Sequence, residues 1–480
     1  MLSERIHATA EGVPLFVDVD GTLTRADISL ESFIHFVRSS WFAWAILLVW
    51  LLRGRSVAKA MVARRHPVDP ARLPYRPEVL DLINQAQAEG RPVILASASH
   101  WRNIVRIARY HGLTTEIIGT RANHNAKGSG KLVAIRAFVG PHGEFDYIGD
   151  SRADTCLWRE ARKGWSAHCL PKGVAVESLH CPRPPFWRVL IKAMRPHQWT
   201  KNALVFVPIF ASGQLLHPGS LLAAVAAAGL TSIIASAIYV INDMVDIDND
   251  RAHRTKFRRP LAHGDLSIPA ALTLSLVLAS AGLVGGWMLG GLPLLLSLLT
   301  YVVLTTAYSF RIKAAMVADV IMLASLYTVR IWIGAVAVSV TLTFWLLLFS
   351  IFLFLSLAYL KRYIEMKDAI VPHRLISGRG YVASDLDIVM MSGVSSGMVA
   401  ILVLALFAND MSHMSTYKAP QLLWLLCLPL LYWINRIWMM ARRGEVDGDP
   451  VAFAVRDRRS MVLGMVMVGI FVAAQNLSLR

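Results

Sequence analysis

Nine apolar stretches in the second half of this chain are long enough to cross a bilayer, and they restrict its fold more than any other feature. They lie at about 202–216, 221–241, 266–286, 290–310, 316–338, 341–360, 388–409, 419–440 and 459–477. In hydrocarbon every backbone amide and carbonyl must be satisfied within the segment, so the runs predict an all-α transmembrane bundle of about nine helices. Gly285-Gly286 and Gly290-Gly291-Leu292-Pro293 divide the stretch 266–310. The loops after the second, fourth, sixth and eighth runs carry nearly all the Lys and Arg, whereas the opposite loops hold little beyond Lys418. The positive-inside rule then predicts a multi-pass protein of the plasma (inner) membrane, with those loops and the amino-terminal domain cytoplasmic and the carboxyl terminus outside.

Composition changes near residue 185, where Pro182, Pro184 and Pro185 mark a junction. We expect a soluble domain at 1–180, a linker at 181–194 and the bundle at 195–480. The formal charge of +17 is concentrated beside the apolar runs. That placement favours anionic lipid and phosphorylated substrates over nucleic acid. Cys156, Cys169, Cys181 and Cys427 have no metal-ligand spacing and read as structural thiols. Met1 to Val13 is polar and of mixed charge, unlike a secretory signal.

The strongest chemical signal follows the uncharged run Leu221 to Ile241. It is Asn242-Asp243-x-x-Asp246-x-x-x-Asp250. Continued as a helix, the i, i+4, i+8 spacing puts Asn242, Asp246 and Asp250 on one face with Asp243 beside them. Such a face can hold magnesium against a diphosphate. Arg251, Arg254, Lys256, Arg258 and Arg259 follow directly, so metal-ligand oxygens and phosphate-binding cations adjoin in one loop. An ordinary basic loop is the alternative.

Near the amino end, Val13 to Val19 is an apolar run ending in Asp18-Val19-Asp20-Gly21-Thr22. A buried parallel strand would deliver two carboxylates to the sheet's carboxyl edge, one placed to attack phosphorus and one to move protons. Pro92 to Ala96 leads into Ser97, Phe145 to Gly149 leads into Asp150-Ser151-x-x-Asp154, and Lys131 lies between. This set resembles the haloacid dehalogenase phosphatase superfamily over residues 12–175. The resemblance implies an α/β Rossmann-type parallel sheet with a cap at about 32–75, Asp18 as nucleophile, Asp20 as acid/base, Ser97 and Lys131 as phosphate ligands, and a magnesium site drawing on Asp18, Asp20, Asp150 and Asp154. Inside the cap, the twelve apolar residues from Trp41 to Leu52 are too few to span. Arg53, Arg55, Lys59, Arg64 and Arg65 follow them, which suits either an interfacial cap helix or one packed on the domain core.

The Asn242 to Asp250 motif resembles the first aspartate-rich motif of the UbiA prenyltransferase superfamily, and the match spans about 186–480. Further islands are similar to its decaprenyl-phosphate phosphoribosyltransferase branch: Arg195-Pro-x-Gln198-Trp199-x-Lys201-Asn202, His253-x-x-Lys256 to Arg259-Pro260 and Gly264, Tyr308-Ser309 with Lys313, Asp319 and Arg330, Lys361-Arg362-x-x-Glu365, Arg379-Gly-Tyr381, and Asp449-Pro450 with Asp457. What this implies is transfer of 5-phosphoribosyl from phosphoribosyl diphosphate to a polyprenyl phosphate. Asn242, Asp243, Asp246 and Asp250 would be catalytic, the last three as magnesium ligands. Lys201, Asn202, Lys256, Arg259, Tyr308, Lys313, Arg330, Lys361 and Glu365 would bind substrate.

The chain departs from the superfamily at its second motif, where Glu365, Asp368, Asp385 and Asp387 form no tight Asp-x-x-x-Asp run and Glu365 is the best candidate. Asp319 and Arg330 lie in one helix about 16 Å apart along its axis, too far to pair. Charges inside a span usually face a cavity and carry function. The fusion suggests that the amino-terminal domain removes the 5-phosphate from the transferase product. The competing readings are an aromatic prenyltransferase using a polyprenyl diphosphate and a non-catalytic lipid carrier with a regulatory domain.

Overall fold

The computed structural model describes residues 12–477 except 40–41, 122–127, 169, 172, 368–379, 412–417 and 447. Asp368, Arg379 and Cys169 therefore lie outside the described residues. The chain forms two compact units, one of residues 1–194 with 239–274 and one of 195–238 with 275–480. The segment bearing the Asn242 to Asp250 motif thus clusters with the amino-terminal unit.

The first unit is built on a six-stranded sheet, β1 (Leu15–Val17), β2 (Val93–His100), β3 (Ile117–Thr120), β4 (Asp146–Gly149), β5 (Lys163–Ser166) and β6 (Glu177–Ser178), in the order β3-β2-β1-β4-β5-β6. All five pairings are parallel. Strand alternation sends Leu15 and Val17 into one buried cluster, with Leu95, Ile83 and Ile107, and Phe16 into another, with Ile94, Tyr147 and Trp158. Both faces are covered, which explains why these strands read as continuous apolar runs. Helices α1 (Ile28–Ser39), α2 (Ala43–Leu52) and α3 (Arg55–Arg65) form the insertion after β1.

Among the described residues, seven helices are long and apolar enough to cross a membrane: Pro218–Val245, Ile268–Phe310, Ala318–Ala337, Phe344–Lys367, Ala383–Asp410, Pro420–Arg443 and Arg458–Asn476. Two differences from the expected nine have local causes. The runs 266–286 and 290–310 are two helices, divided as expected at non-helical Gly290 and Gly291, the latter at φ 60°, and they count once among the seven because they join in the single stretch Ile268–Phe310. The run 202–216 is not a spanning helix. It divides into a 3-10 segment, Pro196–Phe206, and the five-residue helix Val207–Ala211. Hydropathy registers its apolarity but not this geometry. Any side chain at Gly334 of Ala318–Ala337 would collide with the Val205 carbonyl, so that helix lies directly on the 3-10 segment. The core of the second unit gathers Tyr327, Phe354, Leu360, Ile434 and Trp438, with Tyr327 stacked on Phe354 at 5.0 Å.

Candidate active sites

Strands β1 and β4 end beside Ser97 of β2, which runs on to His100. Val17 lies in register with Leu95 and with Ile148, so Asp18, Ser97 and Asp150 emerge together at the carboxyl edge. Carboxylate oxygens of Asp18, Asp150 and Asp154 lie within 4.8 Å of one another. Lys131 Nζ stands 2.9 Å from Asp18, donates to Tyr147 Oη at 2.9 Å and reaches Asp154 at 3.4 Å. Asp154 is held in turn by Tyr147 Oη at 2.9 Å and Ser151 Oγ at 3.0 Å. Asp20 is turned elsewhere: its Oδ2 accepts from Ser97 Oγ at 2.7 Å and its Oδ1 from the Ile28 amide, at the start of α1, at 2.9 Å. Gly21, at φ +76°, has no alternative here, since a Cβ would overlap the Asp150 carboxylate.

The electrostatics follow from crowding like charges in a closed space. Burial pushes Asp18 up to about 7; Lys131 opposes this, while Asp154 and Asp20 reinforce it. Asp150 rises to about 6, through burial and then Asp154. Burial works against the charge on Lys131, but Asp18 and Asp154 hold its pKa above the ordinary value. Three hard oxygen donors that disfavour one another's ionisation fit a divalent cation such as magnesium.

The second carboxylate group begins where Pro218–Val245 ends. Asp246 breaks the helix at ψ 17°, and a short helix, Ile247–Ala252, continues it. The register survives the break, because the Asp246 amide still donates to Asn242 O and the Asp250 amide to Asp246 O, both at 2.9 Å. Asp243 and Asp250 are buried, and one nitrogen of Arg259 serves both, at 3.2 and 2.6 Å. Asn242 Oδ1 is buried and has no hydrogen-bond partner. Among the described residues only Asp18, Asp150 and Asp154 bring three carboxylates within reach of one ion; here Asp243 and Asp250 share Arg259, and the unpartnered Asn242 oxygen is a hard donor of the kind magnesium takes. Lys256, by contrast, is exposed on the 3-10 turn Lys256–Arg258.

Two contributors to this loop escaped the sequence reading. Glu31 of α1 makes a bidentate pair with Arg251 at 2.6 and 2.8 Å, the two side chains being 2% and 5% exposed, and Arg251 Nε holds Ala262 O at 3.0 Å. His35, one turn further along α1, meets Asp248 at 3.0 Å. Arg251 stood among the expected cations, but nothing local marks Glu31 as its partner.

Candidate residues in the second unit group into three networks. Lys201 and Lys361 converge on one Asp449 oxygen, at 2.6 and 3.4 Å. Burial lowers Lys201 to about 8, helped by Lys361 and opposed by Asp449. Arg330 donates to Asn202 at 2.9 Å and to Tyr301 Oη at 2.9 Å. Asp319 is bonded by Arg362 and by Tyr381 Oη at 2.7 Å, and Arg362 also binds Glu365 and Tyr308 Oη, the last at 2.8 Å. Asp319 and Arg330 do not meet each other; each is neutralised or hydrogen-bonded from another segment. Lys313 lies half-buried on the turn Ile312–Ala314. Asp385 accepts from the Val382 amide at 3.0 Å, and Asp387 stands in the first turn of Leu386–Met411.

Residues 203–455 match the UbiA prenyltransferase family, and residues 15–159 match haloacid dehalogenase-like hydrolase. The "Uncharacterized protein y4nM" of Sinorhizobium fredii is 32% identical over 96% of this chain and 91% of its own length. The nodulation protein NoeC of Azorhizobium caulinodans is 36% identical over 58% of this chain and 92% of its own length. A decaprenyl-phosphate phosphoribosyltransferase of Mycolicibacterium smegmatis is 32% identical over 59% of this chain and 92% of its own length.

Proposed function

Because the chain belongs to the UbiA prenyltransferase family and carries a haloacid dehalogenase-like domain at its amino end, we propose that it attaches 5-phosphoribosyl to a polyprenyl phosphate and then removes the 5-phosphate. At the coarser level it is a multi-pass membrane protein that joins a transferase to a hydrolase-type domain. The observation that carries the finer reading is Arg259 between Asp243 and Asp250. One cation serves two buried carboxylates and leaves a negative charge uncompensated, an arrangement that a divalent ion on the carboxylates and a diphosphate on Arg259 would divide. Similarity to the M. smegmatis protein, named a decaprenyl-phosphate phosphoribosyltransferase, supports a phosphoribosyl group and a polyprenyl phosphate as the two groups joined.

In the transfer step, a phosphate oxygen of the lipid attacks ribose C1 and the C1–O bond to diphosphate breaks. That oxygen is already anionic, so no strong base is required. Magnesium, when bound, supplies positive charge that stabilises the departing diphosphate. Asn242, Asp243, Asp246 and Asp250 would hold it, and Arg259 and Lys256 would take up phosphate charge. Lys201, Lys361 and Arg330, with Asn202, Tyr308, Lys313 and Glu365, would bind the rest of the two substrates.

In the hydrolase step, the Asp18 carboxylate attacks phosphorus and forms an aspartyl-phosphate, while Asp20 gives a proton to the leaving sugar oxygen. Asp20 then takes a proton from water as that water displaces the phosphate from Asp18. Ser97 and Lys131 would hold the phosphoryl oxygens, and Asp150 and Asp154 would join Asp18 in holding magnesium.

The test is to supply the purified protein in vesicles with labelled phosphoribosyl diphosphate, magnesium and polyprenyl phosphate, and to weigh the lipids. A lipid heavier than the acceptor by ribose, or by ribose phosphate, is expected. If label enters lipid from neither pool, and prenyl transfer occurs only from a polyprenyl diphosphate to an aromatic ring, the ribosyl reading fails.

A further inference from the structure

Helix α2 reads Ala-Trp-Ala-Ile-Leu-Leu-Val-Trp-Leu-Leu, with no polar side chain on any face. One side is accounted for: Ala43, Leu47 and Trp50 pack with Phe36, Ala58 and Val62 of α1 and α3. The other is not. Leu48 is 53% exposed, Val49 49%, Leu51 42% and Leu52 81%. A helix that is apolar all round belongs in a core or in a lipid phase, and at ten residues this one is too short to span.

Its location selects between those environments. Arg38, near the end of α1, donates to the carbonyl of Val245 at 3.2 Å. Val245 ends the 28-residue apolar helix Pro218–Val245. Ile34 of α1 packs against the buried cluster to which Val240 and Met244, near the end of that helix, belong, and the His35 and Glu31 ion pairs fix α1 to the segment that follows. Where a spanning helix ends, the headgroup layer begins. Since α2 starts five residues after Arg38, its first residue lies within about 18 Å of the Arg38 Cα, whose side chain reaches that helix end.

Charge identifies the occupant. Arg53 directly follows α2, Arg64 and Arg65 are exposed in the last turn of α3, and Arg65 lies over the Trp50 ring of α2 at 4.8 Å. A second copy of this chain docked face to face would bring these arginines against their own counterparts. Anionic headgroups complement them.

We infer that α2 is an interfacial helix, with Leu48, Val49, Leu51 and Leu52 seated in the cytoplasm-facing boundary of an anionic bilayer, and that it brings lipid-linked phosphomonoesters to the Asp18 site. The bilayer contact stands on α2 itself, whereas the delivery role rests on the hydrolase reading above.

The experiment uses the full chain in vesicles of phosphatidylglycerol and phosphatidylethanolamine, with a photo-crosslinking residue placed singly at Leu48, Leu52, Tyr110 or Val133. The last two are exposed apolar positions of the same unit, 54% and 66% accessible, and serve as controls. Lipid adducts about tenfold more abundant at 48 and 52 than at the controls are expected for an embedded face. Equal yields at all four positions, or protein–protein adducts at 48 and 52, would overturn the bilayer contact. With Leu48→Glu and Leu52→Glu combined, turnover of a prenyl-linked phosphomonoester should fall about tenfold while that of p-nitrophenyl phosphate stays within about twofold. A parallel fall of both would overturn the delivery role. Adducts at 48 and 52 in a protein that hydrolyses neither ester would support the bilayer contact and defeat the hydrolase reading.

Discussion

The carboxylates around Asp18 and those around Asp243 solve one problem with different scaffolds. At Asp18 the donors leave adjacent parallel strands, so their spacing is fixed by the sheet, and Lys131 reaches them from a separate helix. At Asp243 the donors sit on a helix end and the short turn after it, and Arg259 reaches back from nine residues beyond Asp250. The first arrangement is held by backbone ladders and the second by ion pairs, among them one with Glu31 of α1. A site of the second kind should yield more readily when a charge is removed at a distance.

The largest effects should come from losing a reacting group, and they should fall on opposite halves of the chain. Asp18→Asn should lower phosphate release at least about a thousandfold, because the nucleophile is gone, while ribosyl transfer stays near normal. The phosphorylated lipid should then accumulate, as mass spectrometry of extracted lipids would reveal. Wild-type yields of the dephosphorylated lipid from purified variant would break the two-site picture. Asp246→Asn should do the reverse, cutting transfer about a hundredfold or more through loss of one metal ligand at constant side-chain volume. Near-normal transfer at ordinary magnesium concentration would remove Asp246 from the metal site.

Glu31→Gln sharpens the contrast between ladder and ion pair. It strands Arg251 in a buried position, at a cost of about 3 kcal/mol to the local fold. Amide exchange should accelerate across residues 247–263 and leave strands β1 and β4 protected. The donor KM should rise with phosphate release little changed; equal protection loss in the strands would mean that α1 supports the whole unit instead.

Smaller effects concern the cations. Lys201 carries its proton below about 8 and loses it above, so kcat/KM for transfer should be flat on the acid side and decline through that pH. Lys201→Arg should keep the alkaline limb level up to at least pH 10, and an unchanged limb would assign the titration to another group. Arg259→Ala should raise the donor KM about tenfold, and Lys256→Ala about threefold, because an exposed charge is screened more than a half-buried one. If both substitutions alter only the lipid requirement, these cations serve the acceptor.

Much was legible locally. Strand alternation and the polar residue closing each apolar run placed Asp18, Ser97 and Asp150 on one edge, since parallel strands in register must deliver their ends together. Hydropathy located the spanning helices by length alone, because hydrocarbon leaves the backbone no other arrangement. What it misjudged was 202–216, where apolar character persists but the backbone follows a 3-10 path pressed against Gly334. The partners of the buried charges were decided by tertiary structure: Lys201 with Asp449 across 248 positions, Arg251 with Glu31 across 220, Arg330 with Asn202 across 128, and Arg362 with Asp319 across 43. Sequence periodicity fixes which face of a helix a residue occupies. Which helix then packs against that face depends on shape and burial summed over the unit, and a buried charge takes whichever counter-charge that packing brings within reach.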